Sequence, residues 1–357
     1  MTGLLGPVRV TRAYYYCSAC SGGLTPHDAT LRLDRREVTP AVRELAALVG
    51  IEASFPTAAH RLLERTSGVN LSESSVLRLT EETGQRHEAA LRAGRTLGEA
   101  TEWEWSRDAR GRTVAYVEVD ATGVPLQGPG GQAREGQMVY LGAILSRADD
   151  EAGLPSRARY VTHLHELAPL GEKLRRQGAA VGMDRAERWV ALTDGGAGLE
   201  SFLEVNFPRA ERILDFYHAS LYVHQAAQAG CPGDAAAAEA VAREWKEWLK
   251  ARGPAELLAA WSGWEEKGRD AESRETLATA RAYVEKNRHR MDDPRYRAEG
   301  LWIGSGAIEA GCKHVINARL KQSGMRWSER GAEAMAQLRA VFRSTRDQWQ
   351  ALWQGNY

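Results

Sequence analysis

The stretch Thr113 to Val124, TVAYVEVDATGV, sets the first condition on any fold for this chain. It reads as a β-strand dense in Val and Tyr that ends on Asp120 and turns at once through Gly123. Many α/β enzymes deliver a metal-binding carboxylate from the C-terminal end of a strand. A strand-end aspartate can equally well do no more than cap the turn that follows. Asp120 is therefore a candidate metal ligand whose meaning depends on partners elsewhere in the chain.

At 357 residues the chain is long enough to bury a substantial core and to divide into two or three domains. No run of eighteen or more apolar residues occurs, and MTGLLGPVRVTR lacks the basic-then-apolar layout of a signal peptide. A cytoplasmic, nucleoid-associated protein without a membrane partner is the expectation. Lys plus Arg balance Asp plus Glu at 47 each, so bulk charge argues for no polyanionic partner. A local patch could still bind one: Leu301 to Tyr357 carries Lys313, Arg319, Lys321, Arg326, Arg330, Arg339, Arg343 and Arg346 against four acids. The four cysteines fit a reducing compartment. Cys17 and Cys20 form one Cys-x-x-Cys pair, which supplies half of a four-ligand zinc knuckle or a pair of inert thiols.

Residues 7–16 alternate enough for a strand leading into that cysteine turn. From Thr39 the period changes to helical, with Val42, Leu45, Ala46 and Val49 on one stripe and Gly50 as a stop. A second helix spans Pro56 to Arg65. A third begins at Ser72, an N-cap that leaves Ser74, Ser75 and Arg78 facing outward. Two helices joined by a short Gly-containing turn suit a helix-turn-helix, in which those three residues would face a DNA major groove, or a plain helical hairpin. Trp103 and Trp105 end a linker and are expected to dock on a neighbouring domain.

From Arg112 three strand-like segments follow with hairpin-length links: TVAYVEVD, QMVYLGAILS and ARYVTHLHE. Then come a helix (PLGEKLRRQGAAVG), a buried strand (ERWVALTD), a helix (GLESFLEVNF) and a strand ending on Asp215. That order is an α/β fold of the RNase H type, a mixed sheet rather than a doubly wound one. Residues 219–299 are helical throughout and interrupt it. The implied domains are 1–38, a strand with the cysteine pair; 39–111, the helical region and linker; 112–218, the first part of the core; 219–299, the insertion; and 300–357, the return to the core with a basic C-terminal helix.

Three acids stand in comparable settings: Asp120, Asp194 in LTDGG at a later strand end, and Glu309 just inside a helix capped by Ser305. Taken singly, Asp194 reads as a tight turn and Glu309 as a charge favoured at a helix N-terminus. Taken together on that sheet order, they converge. Converging carboxylates resist ionisation unless a cation intervenes, and oxygen-only donor sets suit Mg²⁺ or Mn²⁺. Two such ions about 3.5–4 Å apart can clamp both oxygens of an in-line phosphoryl displacement. Asp215 and His218, three residues apart at a strand-to-helix junction, can both face the strand ends, as a phosphate-binding pair or as a cap with His in place of Glu.

At these residues the sequence resembles a known family. GLWIGSGAIEAGCKHVINARLKQSGMRWS, with VEVDATGVP, LTDGG and ILDFYHAS, is similar to the ISKra-type insertion-sequence transposases of bacteria, relatives of the Mutator-like Asp-Asp-Glu group. The resemblance covers nearly the whole chain. It implies an RNase H-like domain with a helical insertion and a catalytic triad of Asp120, Asp194 and Glu309. Asp215 and His218 would match the Asp/Cys-x-x-His signature. The implied activity is cleavage of double-stranded DNA at terminal inverted repeats and strand transfer into a target, with two divalent cations, in a homodimer or larger synaptic complex. Lys313, Arg319, Lys321 and Arg326 would then contact phosphates, and Trp327 would stack on a base or pack in the core. The family also carries a further Cys-x-x-Cys upstream of the point matched by Met1, so zinc at Cys17 and Cys20 would lack two ligands here. An inactive DNA-binding remnant and a host RNase H-like nuclease or resolvase are the alternative expectations.

Overall fold

The computed structural model describes residues 1–30, 38–147, 156–196, 198–265 and 270–355. They divide into two compact units, one built from residues 1–98, 123–139 and 314–357 and the other from 99–122 and 140–313. Residues 314–357, grouped by sequence with the core, thus cluster with the N-terminal helices. No described helix is long and apolar enough to cross a membrane.

The first unit is mainly helical. Thr39 caps the Pro40–Glu52 helix by accepting from the Val42 N–H, and Ser72 caps Glu73–Arg92 by accepting from Ser75. Their apolar stripes meet in a cluster of Val42, Ala46, Ala59, Leu63, Val76 and Leu79. Gly50 does not end the first helix, which runs on to Glu52. Its missing side chain makes room instead: a Cβ there would lie 2.2 Å from Thr80 Oγ1. Gly84, in the middle of the second helix, plays the same part, because a Cβ would fall 2.2 Å from the Ala334 carbonyl oxygen. Residues 7–16 are not one strand. Gly6–Pro7 pairs with Thr2–Gly3, and Tyr15–Cys17 pairs with Gly22–Leu24 in a hairpin whose residues are all exposed. With no core beneath it, the apparent alternation there has nothing to sort inward from outward.

The second unit is mixed α/β. Its strands are β1 (Val114–Gln127), β2 (Ala133–Ser146), β3 (Arg157–Leu164), β4 (Arg188–Thr193) and β5 (Glu211–Leu214), in the sheet order β3-β2-β1-β4-β5. β1 does not end on Asp120 and turn through Gly123 as the sequence suggested; it runs on to Gln127 because its second half pairs with β2, and these outer halves of β1 and β2, residues 123–139, belong to the first unit. Five residues join β1 to β2, a link too short for anything but an antiparallel hairpin. β4 pairs parallel to β1, and β5 parallel to β4. Helices α1 (Ala168–Ala180) and α2 (Leu199–Asn206) make the crossovers. After β5 the chain is helical: α3 (Phe216–Gly230), α4 (Ala235–Arg252), α5 (Pro254–Glu265), α6 (Ala271–Asn287), α7 (Asp293–Ala298) and α8 (Gly306–Gly311).

The two faces of β1 have separate partners, as its period of two requires. Ala115, Val117 and Val119 join Ile144, Val161, Leu170, Leu174 and Leu203 in one core, where Trp103 and Trp105 also dock as the sequence suggested. The alternate residues Tyr116, Glu118 and Asp120 meet the segment around α8. The Tyr116 hydroxyl accepts from the Trp302 N–H, the Glu118 carboxylate from the Ile308 N–H, and Asp120 from the Cys312 thiol. A second core of Phe216, Val223, Trp245, Leu249, Trp261, Leu277 and Val284 holds the helical insertion together.

Candidate functional site

Strand register alone brings three of the carboxylates into line. Glu118 lies opposite Leu192 across the parallel pair, so two residues on Asp120 lies level with Asp194. Thr193 is opposite Leu214, which sets Asp194 level with Asp215. Neighbouring strands are about 4.8 Å apart, so the row spans two strand spacings at the carboxyl end of the sheet. Asp120, Asp194, Asp215, His218, Ser305, Ile308 and Glu309 line one cavity of about 90 Å³. At roughly 30 Å³ per water, that is space for about three small oxygen ligands or a partly hydrated ion.

Each carboxylate is held differently. Asp194 Oδ1 accepts from the Gly196 N–H at 2.7 Å, a tight turn that leaves Oδ2 outside that bond. Gly195 takes a left-handed φ of +82°, and a side chain there would press on Tyr283 Oη at 2.9 Å. Asp120 Oδ1 accepts from the Ala121 N–H at 2.7 Å. Burial raises the Asp120 pKa above the usual carboxylate range, and the charges of Asp194 and Asp215 push the same way against the Ala121 and Cys312 donors. Glu309 is half-exposed in α8, with Lys313 Nζ 4.0 Å away. Among the described residues no ion pair within 4 Å reaches Asp120, Asp194 or Asp215. At the opposite end of the same strands the acids do have cations: Arg188 pairs with Asp108 at 3.2 Å, with Glu299 at 2.6 Å and with Glu211.

Asp215 is the most committed of the set. It is 1% exposed, caps α3 by accepting from the Tyr217 and His218 N–H groups, each at 3.1 Å, and accepts the buried Ser305 N–H at 3.0 Å. It therefore ties the start of α3 to the start of the Glu309 helix. The expected pairing of Asp215 with His218 exists, through a backbone cap. The His218 ring stands 5.8 Å from Tyr222 and 6.0 Å from Tyr283, which stack on each other at 3.8 Å.

Three residues of this site were not singled out in the sequence. Glu118 is fully buried; its Oε2 accepts from the Ile308 N–H at 2.9 Å while its Oε1 has no partner. Burial pushes its pKa up to about 8, and the negative charges of Asp215, Asp120 and Glu309 add to that. Its position two residues before Asp120 on one strand face is the signal that could have found it. Tyr283 and Arg290 come from the helical insertion. Tyr283 Oη donates to the Asp194 carbonyl at 2.8 Å, and Arg290, 2% exposed, donates to Thr193 Oγ1 at 3.0 Å. No local sequence signal ties either one to a turn about ninety residues earlier.

The remaining candidates are scattered. Ser74 is exposed, Ser75 is half-buried with its hydroxyl 2.9 Å from Ser72 Oγ, and Arg78 lies 3.6 Å from Glu82. Lys313, Lys321 and Arg326 are exposed. Arg319 is not available to a phosphate. It is fully buried, donates to the Gly50 carbonyl at 3.0 Å and lies over the Phe55 and Trp327 rings. Arg339 is buried too, donating to carbonyls at Val315 and Ile51, so part of the apparent basic patch ties helix ends together. Trp327 packs, and its indole N–H donates to the Leu320 carbonyl at 3.0 Å. Cys17 and Cys20 are exposed on their hairpin, and hydrogen bonds from Cys20 hold the Cys17 thiol below its ordinary pKa.

The chain belongs to the uncharacterised protein family UPF0236, whose sequence profile matches residues 1–355. No curated protein matches it.

Proposed function

We propose that this UPF0236 member is a DNA transposase of an insertion sequence, with an RNase H-like catalytic domain and a divalent-metal requirement. One observation carries the proposal: Asp120 in the middle of β1, Asp194 just past the end of β4 and Glu309 in a helix beyond them line the same small cavity with Asp215 and His218. The sheet order β3-β2-β1-β4-β5, an antiparallel hairpin followed by parallel strands, supports the RNase H-like part. The ISKra-type motifs support the transposase part, since all of them that bear carboxylates end at this cavity.

The donor chemistry fits a hard cation. Every ligand candidate is a carboxylate oxygen, and burial plus mutual repulsion disfavour the ionised form of Asp120 until positive charge arrives. Mg²⁺ or Mn²⁺ held by Asp120, Asp194 and Glu309 would supply Lewis acidity toward a phosphodiester. The chain's own residues do the rest. Asp120 and Asp194, each fixed by a hydrogen bond from a backbone N–H one or two residues on, set the spacing of the ligands. Asp215 holds the two helix starts that bring His218 and Glu309 to the cavity. The His218 imidazole, which lines the same cavity beside the Tyr222–Tyr283 pair, would donate to a phosphate oxygen held there. Hydrolysis at the element end frees a 3′-hydroxyl, and its attack on target DNA is the same in-line displacement with a different nucleophile. Two element ends imply two active sites, hence a dimer or larger synaptic assembly on double-stranded DNA. Exposed Ser74, Lys321 and Arg326 are candidates for the contacts that hold that DNA.

The test is cleavage of a labelled duplex bearing the element end by the purified chain in Mn²⁺. Wild type should nick it and Asp194→Asn should not. Equal cleavage by both rules out the assignment, and binding without cleavage by wild type marks a DNA-binding remnant instead.

A further inference from the structure

The acidic cavity has a larger neighbour within the same unit. A groove of about 460 Å³ is lined by Phe216, Tyr217, Lys250, Arg297, Trp302 and Gly304 among others. One short segment separates the two: Gly304, Gly306 and Ala307 face the groove, while Ser305, Ile308 and Glu309 face the carboxylates.

Tyr217 is 63% exposed, unusual for an aromatic residue in the first turn of a helix whose N-cap is buried. Its ring is nevertheless seated. It lies over Gly304 so closely that a Cβ there would fall 2.5 Å from Cε2, and the Phe216 ring meets its edge at 5.8 Å and 75°. The Gly304 backbone lies against the Cδ2–Cε2 side of the ring, and most of the residue is open to solvent. Lys250 Nζ sits 4.9 Å from the Phe216 ring centroid and 2.9 Å from Glu247 Oε1, which a phosphate would have to share or displace, and exposed Arg297 stands at the rim. Aromatic surface with cations at its edge, next to a carboxylate cluster, is the complement of a base and its phosphate. An acidic peptide would gain from the same cations but has no planar ring to lay on Tyr217.

We propose that this groove binds an unpaired nucleotide of the DNA strand next to the phosphodiester at the carboxylates, its base on Tyr217 and its phosphate toward Arg297 and Lys250. The proposal rests on the transposase assignment for its choice of strand. The groove itself contains no carboxylate ligand, so its binding is independent of divalent metal.

The experiment uses the full chain in EDTA with fluorescein-labelled dT12, read by anisotropy, and with a 5-iodouracil-substituted dT12 for photocrosslinking. Tyr217→Ala should weaken binding about five- to 150-fold, the range for loss of one stacked base. Tyr217→Phe should bind as wild type does. Arg297→Ala should flatten the salt dependence by about 0.7 of a logarithmic slope unit, one phosphate on a single strand. The crosslink should map to the peptide bearing Tyr217. Wild-type affinity and salt slope in both alanine variants, or a crosslink confined to other peptides, overturns the groove. The two failures are separable. Tyr217-dependent binding by a protein that cuts no DNA in Mn²⁺ keeps the groove and removes the transposase assignment, and cutting with Tyr217-independent binding does the reverse.

Discussion

Replacing Asp215 by alanine should unfold the protein more readily than replacing either of its carboxylate neighbours. Asp215 is buried and its two oxygens accept three backbone N–H groups, from Tyr217, His218 and Ser305. Alanine removes the α3 cap, at a cost of about 0.5–2 kcal/mol. It also leaves the buried Ser305 N–H without an acceptor, which costs about 1–3 kcal/mol more. The expected loss is therefore about 2–5 kcal/mol. Asp194→Ala gives up a single turn hydrogen bond at a half-exposed position, and its cost should stay within about 1 kcal/mol. Urea unfolding followed by far-ultraviolet circular dichroism separates the two cases. Amide exchange at Ser305 should also accelerate in Asp215→Ala alone. If the unfolding midpoint of Asp215→Ala matches that of Asp194→Ala, the assignment of Asp215 as the tie between the two helix starts is wrong.

Other outcomes follow from the same geometry. Gly84→Ala should lower the melting temperature, because overpacking against the Ala334 backbone costs about 1–3 kcal/mol and outweighs a helix-propensity gain of about 1 kcal/mol; a rise in melting temperature refutes the close helix contact. Asp293 is raised to about 8 by burial and by the charge of Asp292. Its folded value thus lies above an unfolded value of about 3.9, so the folded state retains a proton that the unfolded state has released, and stability should fall by about 1.4 kcal/mol per pH unit across that window. Urea midpoints at pH 5 and pH 8 should show the decline in wild type and a shallower one in Asp293→Asn. Arg319→Ala should reduce stability and leave the salt slope of DNA binding unchanged, whereas Lys321→Ala and Arg326→Ala should each flatten the slope by about 0.9 with little effect on the melting temperature.

The chain sequence by itself determined the local structure and the list of acids. Strand and helix periods placed the first half of β1, β4, β5 and the capped starts at Thr39, Ser72 and Asp215, because those features depend on residues within one or two turns of each other, whereas Ser305 begins its helix without a side-chain cap. Asp194, Asp215 and Glu309 were recognisable for the same reason, since each sits near the end or start of an element, and Asp120 because a glycine three residues on resembles a turn, although β1 continues past it. Long-range features were not legible. Gly50 looks like a helix stop in sequence, and only the approach of Thr80 makes it an interior residue. Arg319 looks like a surface cation until the Gly50 carbonyl and two aromatic rings surround it. The strand register decided that Asp120, Asp194 and Asp215 stand level, the alternation of β1 decided that Glu118 holds the Glu309 helix, and the insertion decided that Tyr283 and Arg290 brace the Asp194 turn. The physical reason is common to all of these. Periodicity and capping act over a few residues, whereas burial, hydrogen-bond satisfaction and repulsion among carboxylates depend on which distant segments the fold brings within a few ångströms.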